Sequence, residues 1–197
     1  MKRMLAYALI GSVLAVPAAF AAKKPGDKAA DFSARASLAG KEFNFSLADA
    51  LKKGPVVVYF YPAAYTRGCN IEAHTFAENK EKFDAAGATI IGVSHDTIAK
   101  LNQFSADPEY CAGKFPVASD ADGSIAKSYD LKVGGVREGA NDSKGNPITT
   151  AFTERTTFVI TPDYKVVSTF SSNDDGIAPA DHVEKSLALV EKIKAGK

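Results

Sequence analysis

The sequence predicts an α/β protein with a central mixed β-sheet flanked by helices on both faces. Three observations predict it. The run Val56-Val57-Val58-Tyr59-Phe60-Tyr61 is β-branched and aromatic throughout, too uniform for a half-exposed strand, and reads as a buried central strand. Strand-like and helix-like stretches alternate from there to about Tyr129. A late hairpin and an amphipathic helix then close the chain, which points to a sheet of mixed direction.

The elements follow in order. Lys2 and Arg3 form a basic start, Met4 to Val16 an apolar run broken by Pro17, and Ala19-Phe20-Ala21 supplies small residues where a signal peptidase cuts. Residues 1–21 are therefore expected to be a cleaved signal peptide and residues 22–197 one domain, exported to a bacterial periplasm. About 13 apolar residues at 1.5 Å each span roughly 20 Å, short of a membrane core of roughly 30 Å. Phe32 to Phe45 reads as two short strands around Leu38-Ala39-Gly40-Lys41. Ser46 is the expected N-cap of a helix to Lys53, closed by Gly54-Pro55. After the central strand, Ala73, Phe76, the Lys80 stem and Phe83 form one helical stripe, with Gly87 past its end. Ala88 to Val93 is a second buried strand, and Thr97 to Phe104 a helix burying Ile98, Leu101 and Phe104. Phe115 to Ala118 is a brief strand and Ser124 to Tyr129 a short helix. Val133 to Thr153 lacks periodicity and is expected to be a long surface loop. Thr156 to Thr161 and Lys165 to Phe170 form a hairpin around Pro162-Asp163-Tyr164. A helix from about Pro179 turns Val183, Leu187 and Val190 inward.

Cys69 is the most informative residue. It ends the loop Pro62-Ala-Ala-Tyr-Thr66-Arg-Gly-Cys69, between the carboxyl end of a strand and the start of a helix. Orphan N–H groups and the helix dipole favour a thiolate there, which makes a nucleophile. The alternative is a buried, inert cysteine. The second cysteine, Cys111, lies in the polar stretch Asp107-Pro-Glu-Tyr-Cys111-Ala-Gly-Lys114, which argues against a buried inert thiol. Two cysteines are too few for a disulfide scaffold, so in an oxidising compartment the open question is a static or a catalytic pair.

The formal net charge is +1, and −1 once Lys2 and Arg3 are removed, with no basic stripe; nucleic acid is excluded as a partner. Nothing after the leader is long and apolar enough to span a membrane. Gly134-Gly135 matches no phosphate-binding fingerprint, and His95 and His182 have no partners at metal-ligand spacing. No cofactor or metal is called for.

The pattern Pro62-x3-Thr66-x2-Cys69 resembles the peroxiredoxins, thioredoxin-fold peroxidases of the AhpC/TSA superfamily. Gly26-Asp-Lys-Ala29-Ala-Asp-Phe32, Ile91-Gly-Val-Ser94-His-Asp96, Phe115-Pro-Val-Ala-Ser119-Asp120 and Arg155-Thr-Thr-Phe158-Val-Ile160 are similar to further family segments. Glu72, in Cys-x2-Glu, is similar to the bacterioferritin-comigratory-protein or PrxQ group. The resemblance implies a thioredoxin-like fold, a peroxide substrate and a thiol electron donor, either a thioredoxin-like protein or a small thiol, in a monomer or homodimer. It implies Cys69 as nucleophile, Arg155 as the cation holding the thiolate, and Thr66 as a partner that accepts the peroxide hydrogen bond and donates to sulfur. Pro62 would shield the sulfenic acid, and Glu72 would hold Arg155. Some members resolve the sulfenic acid with a cysteine from the region of Cys111; a static disulfide and a bystander remain the alternatives. Thr66 is equally readable as a helix cap, and Glu72 as a carboxylate answering the helix dipole.

The chain departs from the group at three places. His74 stands where a second cysteine is common, five residues after the first, and reads as an ordinary half-exposed helical histidine. Arg67 replaces Pro or an apolar residue, and residues 133–153 align with nothing. A thioredoxin-fold thiol–disulfide oxidoreductase would need Cys-x-x-Cys, but Glu72 occupies its fourth position. A non-enzymatic holdase would make the Pro62, Thr66, Cys69 and Arg155 set accidental.

Overall fold

The computed structural model describes residues 21–196, so the expected leader lies, but for Ala21, outside the described residues. Seven strands form one sheet: β1 (Ser33–Leu38), β2 (Lys41–Ser46), β3 (Val56–Phe60), β4 (Thr89–Ser94), β5 (Val117–Ser119), β8 (Thr156–Ile160) and β9 (Val166–Ser171). Their spatial order is β2-β1-β5-β4-β3-β8-β9. β3, β4 and β5 run parallel, while β8 pairs antiparallel to β3 and β9 to β8, so the sheet is mixed as expected. Crossover helices α2 (Arg67–Ala85) and α3 (Ile98–Ala106) join the parallel strands. The other helices are α1 (Leu47–Leu51), α4 (Ser124–Ser128), α5 (Ser172–Asp175) and α6 (Pro179–Lys194).

The central strand explains the two-faced core. All five residues of β3 are buried, and successive side chains point to opposite faces. Val57, Tyr59 and Tyr61 pack with Phe76, Phe83, Phe104 and Val183 on the face covered by α2, α3 and α6. Val56, Val58 and Phe60 pack with Leu47, Tyr129 and Phe158 on the other. Each such fully buried aromatic or aliphatic side chain stabilises the fold by roughly 1.5–3 kcal/mol. Gly92 on β4 is dictated by this packing: a Cβ there would lie 2.6 Å from the Tyr59 ring.

Ser46 is the cap the sequence predicts, accepting from the Asp49 N–H at 3.2 Å at the start of α1; Thr97, expected as the first residue of its helix, instead caps α3 by accepting from the Lys100 N–H at 3.4 Å. Gly87, at φ +74°, ends α2, and Pro179 begins α6. Val183 and Val190 are buried, whereas Leu187 is only half-buried.

Two expectations change. Residues 133–153 are the mostly exposed surface stretch expected, but they carry local structure. β6 (Val133–Gly134) pairs with β7 (Phe152–Thr153) at the base, and Asp142 organises the tip by accepting the N–H groups of Lys144 and Asn146 at 2.9 Å each. The segment docks through the Ser143 N–H, which donates to the Tyr65 carbonyl at 2.7 Å. Single-residue side-chain knots leave no periodicity, which is why the pattern was silent. Cys111 is the second correction: it is fully buried despite its polar neighbours. The chain turns at Ala112, with φ +52°, so that Asp107, Glu109 and Lys114 stay outside while Cys111 points into the α2–α3 face. The short α5 was not anticipated.

Candidate active site

The loop between β3 and α2 is held from several sides. The Ala64 N–H donates to Asp96 Oδ2 at 2.7 Å, and the Tyr65 ring packs edge-on against Phe104 and Tyr110. These ties hold Tyr65 at φ +63°, a left-handed backbone that costs a non-glycine residue about 1–2 kcal/mol. The turn delivers Thr66 as the N-cap residue of α2 and Cys69 into its first turn.

Arg155 arrives from the other side of β3, at the start of β8. Phe60 pairs with Thr156, so the antiparallel register puts Arg155 level with the end of β3. Its Nη2 donates to Cys69 Sγ at 3.2 Å, and its Nη1 donates to Glu72 Oε2. Gly68 makes room: a Cβ there would lie 3.0 Å from Arg155 Nη2. Cys69 and Glu72 are buried, and Arg155 is 9% exposed. A guanidinium in contact with sulfur in such a setting can donate to negative charge developing beside it.

Electrostatics bind the trio together. Burial pushes the Glu72 carboxyl up to about 7, against the pull of the Arg155 guanidinium. Burial also works against the Arg155 cation, but Glu72 and the Cys69 sulfur more than offset it and push it above the usual guanidinium range.

The expected residues thus meet, with one detail changed. Thr66 is neither the side-chain cap nor the donor to sulfur. Its hydroxyl donates to the Ala63 carbonyl at 2.9 Å, which leaves its lone pairs free to accept. Pro62 and Thr66 line, with Arg155, a cavity of about 240 Å³. A larger depression of about 600 Å³, beside Arg35, Thr97 and Asp122, touches none of these residues. Arg67 is exposed. His74 is exposed as expected, yet its Nδ1 lies 2.9 Å from the Glu109 carbonyl, two residues before Cys111.

Sequence reasoning missed His182. It is fully buried behind Glu72, with Nδ1 4.0 Å from Glu72 Oε1. The Ser172 hydroxyl donates to the Ile177 carbonyl at 2.8 Å, so it must accept from His182 Nε2–H at 3.0 Å. Nδ1 is then the acceptor for the Thr157 hydroxyl at 2.9 Å. Burial and the Arg155 cation push the imidazole down to about 4, which keeps it neutral. Its one legible signal was placement: position 182 precedes Val183 on the inward stripe of the last helix. His95 is also buried, with Nδ1 2.6 Å from the Asp120 carbonyl, away from this cluster. Among the described residues no three or more His, Cys, Asp or Glu side chains gather as metal ligands.

Cys111 differs in every respect but burial. Burial, with Asp107 nearby, pushes its thiol well above the usual range. Both cysteines are free thiols.

A buried sulfur, guanidinium and carboxylate, gathered where a strand feeds a helix on a thioredoxin-like fold, define a thiol-dependent redox enzyme. Residues 25–169 match the AhpC/TSA family, and the chain belongs to it: it is a peroxiredoxin, a thiol-dependent peroxidase. A Mycobacterium tuberculosis protein provisionally named a peroxiredoxin is 35% identical over 173 residues, 88% of this chain and 99% of that one. Peroxiredoxin Bcp of Xanthomonas campestris is 30% identical over 136 residues, 69% of this chain and 76% of its own. The crystal structure of peroxidoxin BcpB from Mycobacterium tuberculosis superposes with a TM-score of 0.69 at 32% identity, covering 86% of this chain and 97% of that one.

Proposed function

We propose that this peroxiredoxin reduces hydrogen peroxide and organic hydroperoxides through a Cys69 sulfenic acid that Cys111 resolves. The observation that supports it most is the buried contact of Arg155 Nη2 with Cys69 Sγ, braced by Glu72. The Cys69 thiolate attacks one peroxide oxygen; an S–O bond forms and the O–O bond breaks. Sulfur is oxidised by two electrons, and the other oxygen leaves as hydroxide or alkoxide and takes a proton from water. Arg155 stabilises charge on the oxygens, the Thr66 oxygen accepts the peroxide O–H, and Pro62 walls the sulfenic acid. Cys111 sulfur then attacks Cys69 sulfur, an S–S bond forms and water leaves. A thioredoxin-like protein or a small thiol returns both cysteines to thiols.

Resolution by Cys111 requires local opening, because its thiol is buried and its loop is tied down. Three polar ties hold it from other elements: His74 to the Glu109 carbonyl, Lys144 to Asp107 at 2.8 Å, and Lys114 to the Ala77 carbonyl at 3.1 Å. Tyr110 adds ring contacts with Phe104 and Tyr65, and the Gly113 N–H donates to the Ser105 carbonyl at 2.8 Å, so the opening must also release these. The reading also includes export to the periplasm with removal of residues 1–21, action as a monomer or homodimer, and no nucleic-acid or membrane partner.

The test is mass spectrometry of the reduced protein after one equivalent of peroxide, on wild type and Cys111→Ser. A Cys69–Cys111 disulfide in wild type and a Cys69 sulfenic acid in the variant are expected. If the variant keeps full turnover with a dithiol reductant and wild type forms no such bond, an external thiol resolves the intermediate. Fractionation with N-terminal sequencing tests the leader: a periplasmic chain beginning at Ala22 is expected.

A further inference from the structure

The cavity at the active site extends past the reacting groups into residues 133–153. Pro62, Thr66 and Arg155 line it together with Arg137, Ile148 and Phe152. The part formed by Arg137, Ile148 and Phe152 is not needed for hydrogen peroxide, which on the reading above would meet only the sulfur, Thr66 and Arg155. Its chemistry is specific. Ile148 and Phe152 offer apolar surface, and the Arg137 guanidinium lies 4.0 Å over the Phe152 ring. The ring is itself fixed against β6, since a Cβ on Gly134 would come within 2.6 Å of it. Arg137 is exposed, and among the described residues it forms no ion pair, unlike Arg155 with Glu72 or Arg35 with Glu42. The aromatic face aims the guanidinium without neutralising it.

We propose that this part of the cavity receives the organic part of a hydroperoxide that carries a carboxylate, with Arg137 as the residue that selects for the charge. The inference rests on the peroxidase reading and names the substrate class for the same site. A volume of about 240 Å³, somewhat below the roughly 300 Å³ at which drug-sized sites begin, limits the substituent to roughly a dozen heavy atoms. An aryl or branched alkyl body would lie along Ile148 and Phe152, and its carboxylate would accept the paired N–H groups of Arg137. The chemical step is unchanged: the O–O bond breaks at Cys69, and the carboxylated alcohol leaves.

The probes are cumene hydroperoxide bearing a para carboxylate and the methyl ester of that acid, which share body and peroxide and differ in charge. For wild type the kcat/KM of the acid should exceed that of the ester by about 2- to 5-fold, the upper range of an exposed ion pair. The ratio should shrink with added salt. Arg137→Gln should bring it to about one, and Arg137→Lys should keep most of it. A wild-type ratio of one, or an unchanged ratio in Arg137→Gln, overturns the proposal while leaving peroxide reduction intact. Failure of wild type to reduce either probe or hydrogen peroxide overturns the peroxidase reading, and this inference with it.

Discussion

Cys69 and Cys111 are both buried and belong to the same core cluster, yet they stand in opposite electrostatic surroundings. Cys69 is at the start of a helix, in contact with a guanidinium that a buried carboxylate holds. Cys111 is at the turn of a loop, where burial and, after it, the nearby Asp107 carboxylate oppose ionisation. Two cysteines equally buried therefore differ in what touches the sulfur: a guanidinium donor at Cys69, and no cation at Cys111 to offset the loss of water.

Exchanging the two sulfurs one at a time gives the largest contrast. Cys69→Ser should lose peroxide consumption down to the buffer background, while Cys111→Ser should consume its first equivalent at the wild-type rate. Stopped-flow peroxide loss measures both, and a Cys69→Ser protein that still clears peroxide would sink the assignment of the nucleophile.

Removing the cation is next. Arg155→Ala should lower kcat/KM by about 10²- to 10³-fold, as loss of one oriented donor does. It also leaves Glu72 buried without its partner, a destabilisation of about 3–5 kcal/mol. The double variant Arg155→Ala/Glu72→Gln should recover much of that stability but none of the rate. Recovery of both would mean that Arg155 acts on the fold alone.

The surroundings of Glu72 set the pH response. Glu72 is raised from 4.5 to about 7, so its contribution to stability is full below 4.5 and is lost as pH rises through 7. His182 is lowered from 6.5 to about 4, so its contribution is full above 6.5 and is lost as pH falls through 4. The slopes oppose each other between 4.5 and 6.5, where wild-type stability should be nearly flat. His182→Gln removes only the acid-side loss. Relative to wild type, the variant should gain on the order of 2–3 kcal/mol between pH 7 and pH 4 in urea unfolding. Parallel curves would show that His182 does not resist protonation.

The smallest effect concerns the Cys111 loop. His74→Ala removes the contact with the Glu109 carbonyl and should speed alkylation of Cys111 in a Cys69→Ser background by about 2- to 5-fold. An unchanged rate would place the opening motion elsewhere.

The parts of this molecule that were legible in the sequence are those in which a local pattern coincides with a burial pattern. Val56 to Tyr61, the Ala73–Phe76–Phe83 stripe and the Pro162–Tyr164 hairpin are of this kind, as is the cap at Ser46. The candidate site residues were legible through motif spacing, and the structure brings Cys69, Glu72 and Arg155 into contact. What stayed hidden depends on distant chain segments. Cys111 is buried because its loop turns at Ala112, which its polar neighbours conceal. Residues 133–153 hold together through Asp142 and through docking on Tyr65. His182 matters because Ser172, Thr157 and Glu72, from three other elements, converge on it. The hydroxyl of Thr66 had two expected partners, and the structure chose a third, the Ala63 carbonyl.

Cys69 and Arg155 are 86 residues apart, brought together by the pairing of β8 with β3 and by α6, which packs on both α2 and β8. Such a contact forms late in folding, because a long stretch of chain must first be ordered. Until then Cys69 is an ordinary side chain on a disordered polymer, with no guanidinium beside it. Reactivity toward peroxide is thus a property of the finished fold, and a chain still being synthesised would be spared premature oxidation. Protein held in urea should react with peroxide at the rate of a simple thiol, and the fast reaction should appear only as the sheet closes.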